Sequence, residues 1–311
     1  AAGLWLLGSA GTAAWGQTDA QYVRYWKQEW PVTDFGKSSV DFSEILHGGP
    51  PKDGIPPIDE PAFVSVTEAN AVLADREPVI GLVVNGEAKA YPLQVLMFHE
   101  IANDTIGGVP VTVTFCPLCN AAIVFDRRVN GHILDFGTTG KLRHSDLVMW
   151  DRQTESWWQQ FLGEAIVGEM TGTRLTMIPS RLESWARFRA RAPEATVLVP
   201  NGRHQRSYGG NPYLNYDSSA RPFLYRGEMP SGIPPLMRVV TLAERGAWSL
   251  DFMKRNRTVH LDDGTTIRWE PGQASALDSG EIAEGRDVGN FTVTRFENGR
   301  EVDVQHGVDF V

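Results

Sequence analysis

The chain has 311 residues, 42% of them hydrophobic and 22% charged, which excludes a disordered or fibrous protein. Its formal charge of −9 leaves no cationic surplus for sequence-independent nucleic-acid binding, so nucleic acid is not an expected partner. No run beyond the N-terminus approaches the roughly 18 apolar residues of a membrane-spanning helix, so no stable span is expected once a signal is removed.

Residues 1–16 read as the remainder of a secretory signal. An apolar segment reaches Leu7, small residues follow, and Ala14 and Gly16 stand third and first before Gln17. The alternative is a buried N-terminal helix. Export implies a periplasmic or secreted protein, in a compartment where thiols tend to oxidise.

Residues 17–77 are expected to wrap the body of the protein. Glycine and proline crowd the stretch from Gly48 to Pro57 and forbid regular structure there, while the interspersed Ile, Phe and Leu favour an ordered loop over a free linker.

A first β-rich unit is expected over 78–225. VIGLVVNGEAKAYP predicts two strands joined at Asn85-Gly86, and Pro92 suits the first turn of a helix over LQVLMFHEIAND that stops before Gly107-Gly108. VPVTVTF alternates as a strand. AAIVFDRRV and HILDFGTT predict two more, joined at Asn130-Gly131. The stretch from Arg152 to Phe161, with Trp157 and Trp158, fits either a short helix or a half-buried strand.

Residues 226–311 echo this pattern. MRVVTLAERGAWSLDFMKRN repeats strand, turn, strand and helix start, LDDGTTIRWEPGQASALD follows NDTIGGVPVTVTFCPLCNAAIV, and Asn298-Gly299 takes the place of Asn130-Gly131. The second unit reads as degenerate and cut short at Val311. The expected fold is therefore α+β and β-rich, with two related units in a pseudo-symmetric arrangement. Setting Pro117 against Pro271 puts Glu270 and Gln273 opposite Cys116 and Cys119, so the turn itself does not require cysteine.

Both cysteines of the chain lie in TFCPLCNAA, at Cys116 and Cys119, and this pair has three readings. A thioredoxin-like dithiol needs a following helix to lower a thiol pKa, and the residues after Cys119 read as a strand. A disulfide staple would close a very short loop and restrain the unfolded chain little. A metal knuckle would converge two thiolates on one ion and needs a further ligand from elsewhere. His99 is the candidate for that ligand, on the expected helix face with Val95, Phe98 and Ala102, with Glu100 and Asp104 near enough in sequence to orient its ring. The competing reading of His99 is a hydrogen-bonded core histidine. Copper or zinc suits two thiolates and an imidazole, with copper preferred on affinity.

Other constellations carry less. His144-Ser145-Asp146 cannot form a hydrolytic triad from consecutive positions, although His144 is a candidate fourth ligand. GTTGKLR lacks both the first glycine and the Ser/Thr of a phosphate loop. Trp150, Trp157, Trp158 and Trp185 read as core, and nothing pairs Asp151 with Glu155 as acid and base.

SVDFSEILHGGPPKDGIPPID, YPLQVLMFHEIANDTIGGVPVTVTFCPLCNAAIVFDR, GKLRHSDLVMWDRQTESWWQQFLGEAIVG, RHQRSYGGNPYLNYD and PGQASALD together resemble a family of exported bacterial and archaeal proteins catalogued as a domain of unknown function. The resemblance covers nearly all of the chain after the signal and brings no activity with it. Two departures stand out: the family more often has Trp where Phe98 stands, and Asn where His144 stands. The reading is an exported metal-binding protein with a Cys116/Cys119/His99 centre. An exported binding or structural protein with a Cys116–Cys119 disulfide, and a thiol-disulfide oxidoreductase, are the alternatives. Whether it is an enzyme, and on what small molecule, is left open.

Overall fold

Val83 and Val84 run into Asn85-Gly86, and both turn residues adopt positive φ (50° and 84°), the geometry of a tight hairpin. In the computed structural model this turn joins strands Pro78–Val84 and Glu87–Pro92, as the sequence predicts. The structure describes residues 20–229, 231–242 and 245–304, so the signal reading of 1–16 and the end at Val311 lie outside the described residues.

The helix predicted after Pro92 is a single turn, Leu93–Leu96. Ile101–Ile106, expected to continue it, is instead a strand paired antiparallel with Val109–Cys116 across Gly107-Gly108. Those glycines take φ of 54° and 76°, and a Cβ on Gly107 would fall 2.2 Å from the Val84 carbonyl oxygen. The helical spacing of Val95, Phe98 and Ala102 spans two different elements, because a ladder with a buried partner strand outweighs local periodicity. Arg152–Phe161 resolves as a strand, Trp157–Gln159, and it is fully buried where half-burial was expected.

Val109–Cys116 is buried along nearly its whole length. It sits with Ile101–Ile106 on one side and Ala121–Asp126 on the other, in a four-stranded antiparallel sheet completed by Thr176–Ile178. Side chains alternate across a strand, and here both faces are covered. Val111, Val113 and Phe115 pack with Ala122 and Val124 against Ile80, Leu82, Tyr91 and Leu96. Cys116, Ala121, Ile123 and Phe125 face Phe136, Leu147, Met149 and Trp158. Those last residues belong to a five-stranded antiparallel sheet ordered Ile45–His47, Phe136–Arg143, Asp146–Asp151, Trp157–Gln159, Glu164–Val167. A second five-stranded sheet holds the Pro78–Pro92 hairpin, together with Ser180–Ser184, Thr196–Val199 and Ala62–Ser65.

Aromatics from the residues before Pro78 pack on the first five-stranded sheet. Trp26, Trp30, Phe35 and Phe42 cluster on Val148, Trp150 and Trp157, with Trp26 and Trp157 edge-to-face at 5.0 Å. Further along come strands Val239–Leu242 and Gly246–Ser249, helix Leu250–Asn256, the antiparallel strands Thr258–His260 and Thr265–Glu270, the 3-10 turn Ile282–Glu284 and strand Asn290–Glu297. The fold is β-rich α+β, with several sheets and few short helices.

Candidate functional site

Cys116 ends its strand in register with Ala121, and the four residues between them form the turn. Pro117 fixes the first corner, its carbonyl accepts the Asn120 N–H at 3.2 Å, and Asn120 reaches the left-handed region at φ 48°. The turn returns Cys119 towards Cys116, so that the two sulfurs stand 2.9 Å apart as free thiols. Gln160 clamps the base of the turn, donating to Thr114 Oγ1 and to the Ala121 carbonyl at 2.8 and 3.1 Å.

A third group able to ligate comes from the facing sheet. The strands Phe136–Arg143 and Asp146–Asp151 are joined by a corner in which His144 and Ser145 both take positive φ, 53° and 71°. That corner brings Asp146 Oδ1 to 3.1 Å from Cys119 Sγ and turns the Ser145 carbonyl to 3.8 Å from the same sulfur. Cys116 Sγ, Cys119 Sγ and an Asp146 carboxylate oxygen all lie within 4.8 Å of one another. The other Asp146 oxygen accepts the Phe161 N–H at 3.0 Å, which fixes the carboxylate plane.

The electrostatics of this corner are those of crowded acids. Burial pushes the Asp146 carboxyl up to about 6, although hydrogen bonds from the Phe161 N–H and the Cys119 thiol oppose the rise. Burial, then the nearby Cys116 and Asp146, hold the Cys119 thiol well above the ordinary thiol range. Glu100, buried and left-handed at φ 58°, is raised to about 8 by burial and by Asp146. Each group disfavours charge on its neighbours, and a bound cation would turn that mutual repulsion into attraction.

Two cavities flank the turn and share Leu118 and Tyr216 as walls. The smaller, about 300 Å³, reaches Cys119, Asn120 and Ser145. The larger, about 680 Å³, is walled by Ile55, Leu142, Leu147 and Phe223, with Glu100, Lys141, Tyr213, Asn215 and Ser219 among its polar members. Both fall within the size range of small-molecule sites, ~300–1,000 Å³.

The structure places His99 outside the cluster of Cys116, Cys119 and Asp146. Its Nδ1 lies 2.7 Å from the Pro56 carbonyl and its Nε2 lies 2.9 Å from the Tyr208 hydroxyl, and the ring is buried. With both nitrogens engaged, the ring matches the core-histidine reading. Glu100 faces Asp146 electrostatically and does not orient that ring, while Asp104 accepts from Lys89 and Tyr91 at 2.8 and 2.7 Å. His144 is half exposed, 3.6 Å from Glu44, and is not among the three grouped ligands. Trp150, Trp157, Trp158 and Trp185 are core residues, and Asp151 is committed to Trp158 and Thr154.

Asp146 is the candidate ligand that sequence reasoning passes over. It stood in the His144-Ser145-Asp146 run, which failed as a triad, and its approach to the cysteines comes from two sheets packed face to face across thirty residues of chain. An acid heading the apolar run LVMW is the signal the sequence offers.

No curated protein and no solved structure matches the chain. Residues 52–309 match the model of a family described as "Protein of unknown function (DUF3179)", and the chain belongs to that family.

Proposed function

We propose that this protein binds one metal ion through Cys116, Cys119 and Asp146, as an exported metal protein. The observation that carries the reading is the convergence of two thiols and a carboxylate oxygen within 4.8 Å, at a turn built to hold them. Two Zn–S bonds of ~2.3 Å at a tetrahedral angle need sulfurs about 3.7 Å apart. The present 2.9 Å separation opens to that by small side-chain rotations once the thiol protons leave.

Asp146 in place of His99 changes the preferred metal. Two thiolates and a hard carboxylate oxygen suit zinc, a borderline ion, better than soft copper(I), and copper(II) oxidises paired thiols. Three protein ligands leave a fourth position for water or a substrate, the arrangement of catalytic zinc sites. The dithiol oxidoreductase reading fares worse, because strand Ala121–Asp126 follows the pair and burial raises the Cys119 thiol. Export rests on the composition of residues 1–16.

The test is anaerobic zinc loading of the reduced protein, with metal analysis after gel filtration. About one equivalent is expected, lost in Cys116→Ser and Cys119→Ser and kept in His99→Ala. Only trace zinc in the reduced wild-type protein sinks the proposal, and an intact Cys116–Cys119 disulfide in protein isolated without reductant favours the staple.

A further inference from the structure

Glu100 is a buried acid that the thiol corner leaves unused. It is 7% exposed, and among the described residues its carboxylate accepts no hydrogen bond and forms no ion pair. Unlike the sealed Asn120 amide, its oxygens are not closed off, and the residue lines the larger cavity of about 680 Å³. A buried carboxyl normally has partners, so one left open to a cavity points to an occupant.

The backbone fixes where that carboxyl stands. Glu100 N–H donates to the Leu96 carbonyl and its own carbonyl accepts the Phe115 N–H, both at 2.7 Å, at the joint between turn Leu93–Leu96 and strand Ile101–Ile106. Its φ of 58° is one that glycine or asparagine adopts more readily than glutamate. Strained residues of this kind cluster at ligand sites.

The rest of the chamber offers acceptors and ring faces. Tyr213 lines it too, and its hydroxyl has no partner among the described residues. Burial, and then the neighbouring Glu100, push that hydroxyl up and keep it neutral. The Tyr213 and Tyr216 rings stand 6.4 Å apart at 66°, and Phe223 adds a third ring. Lys141 borders the cavity, but side chains alternate along a strand, and Leu142 takes the cavity side. The Lys141 ammonium lies on the opposite face, 5.1 Å from the Trp30 and Trp157 rings and 3.5 Å from Glu29. The charge that acts on Glu100 is instead another acid, Asp146.

We propose that the larger cavity binds a small organic cation, a primary ammonium on an apolar body, held by the Glu100 carboxylate and the Tyr213 hydroxyl. The ammonium has three donors and satisfies both acceptors, an alcohol has one, and a carboxylate has none. The tyrosine rings add cation–π attraction, and Leu142, Leu147 and Phe223 receive the apolar part. Asp146, which resists a charge on Glu100, attracts a cation. The site goes beyond the metal reading and requires no ion at the cysteines.

The probes are phenethylamine, 2-phenylethanol and phenylacetate, one shape with a cation, a neutral group and an anion. They are titrated into reduced full-length protein by ligand-observed NMR, before and after zinc loading. Salt near 0.15 M screens the overall acidity of the chain. At about pH 8.5, Glu100, raised to about 8, is mostly ionised, while a primary ammonium keeps its proton. Phenethylamine should saturate one site, and the alcohol and the anion should each bind at least about tenfold more weakly, a difference of ~1.4 kcal/mol. Glu100→Gln keeps the shape and should bring the amine within about twofold of the alcohol. Tyr213→Phe keeps the ring and should weaken the amine about threefold. Equal wild-type affinity for amine and alcohol, no saturable amine binding, or a preference that survives in Glu100→Gln each overturns the proposal. The wild-type comparison needs no variant, so poor folding of a mutant cannot rescue the idea. Failure to take up zinc with amine selectivity intact would count against the metal centre alone.

Discussion

Glu77 is 3% exposed, and one carboxylate oxygen accepts only the Ala74 N–H, at 3.2 Å. Burial lifts its carboxyl from an ordinary 4.5 to about 7. The folded state therefore holds this proton more tightly than the unfolded chain does. Stability from this group is greatest below pH 4.5, falls as the pH rises towards 7, and is level above it. The difference between 4.5 and 7, at 1.36 kcal/mol per unit, costs about 3 kcal/mol at pH 8. Glu77→Gln removes the titration and keeps an oxygen for the Ala74 N–H, though its new N–H groups give back roughly 1–2 kcal/mol if they stay unpaired. The variant should thus gain on the wild type by about 3 kcal/mol between pH 4 and pH 8, whatever its offset. Urea unfolding followed by circular dichroism at several pH values measures this. A wild-type-to-variant difference that stays constant across that range refutes the assignment of a raised, buried Glu77.

Asp146→Ala should weaken zinc binding by well over tenfold, while His99→Ala leaves it within about twofold; competition with a chromophoric chelator reads both. Trp157→Ala empties the contact with Trp26, Trp30 and Phe35 and should cost about 3–5 kcal/mol of unfolding free energy, measured by urea denaturation. Gly140→Ala should destabilise by about 1–3 kcal/mol or more, since φ is 69° and a Cβ there would lie 1.8 Å from the Pro50 carbonyl oxygen; a lowered thermal midpoint is the readout.

Much of the fold was legible because turn chemistry is local. Asn85-Gly86, Asn130-Gly131 and Asn298-Gly299 all take positive φ at the predicted turns, and the strands beside them follow from alternation. Ile101–Ile106 was misread because its apolar residues fit a helix as well as a strand, and only pairing with Val109–Cys116 decides between them. The site was half legible for a related reason. Cys116 and Cys119 are neighbours in sequence, so their convergence could be read from a single turn. Asp146 joins them through the packing of two sheets, and a single sequence carries no record of which strand faces which. His99, nearer in sequence, was the natural choice, yet it spends its ring on Pro56 and Tyr208.

Tyr216 acts as a partition. It lines both the larger chamber, which holds Glu100 and Lys141, and the smaller one, which holds Cys119 and Asn120, and its hydroxyl is tied to the Leu118 peptide between the two cysteines. Guests in the two chambers would therefore press on one shared wall, fastened to the same few atoms of backbone that carry the sulfurs.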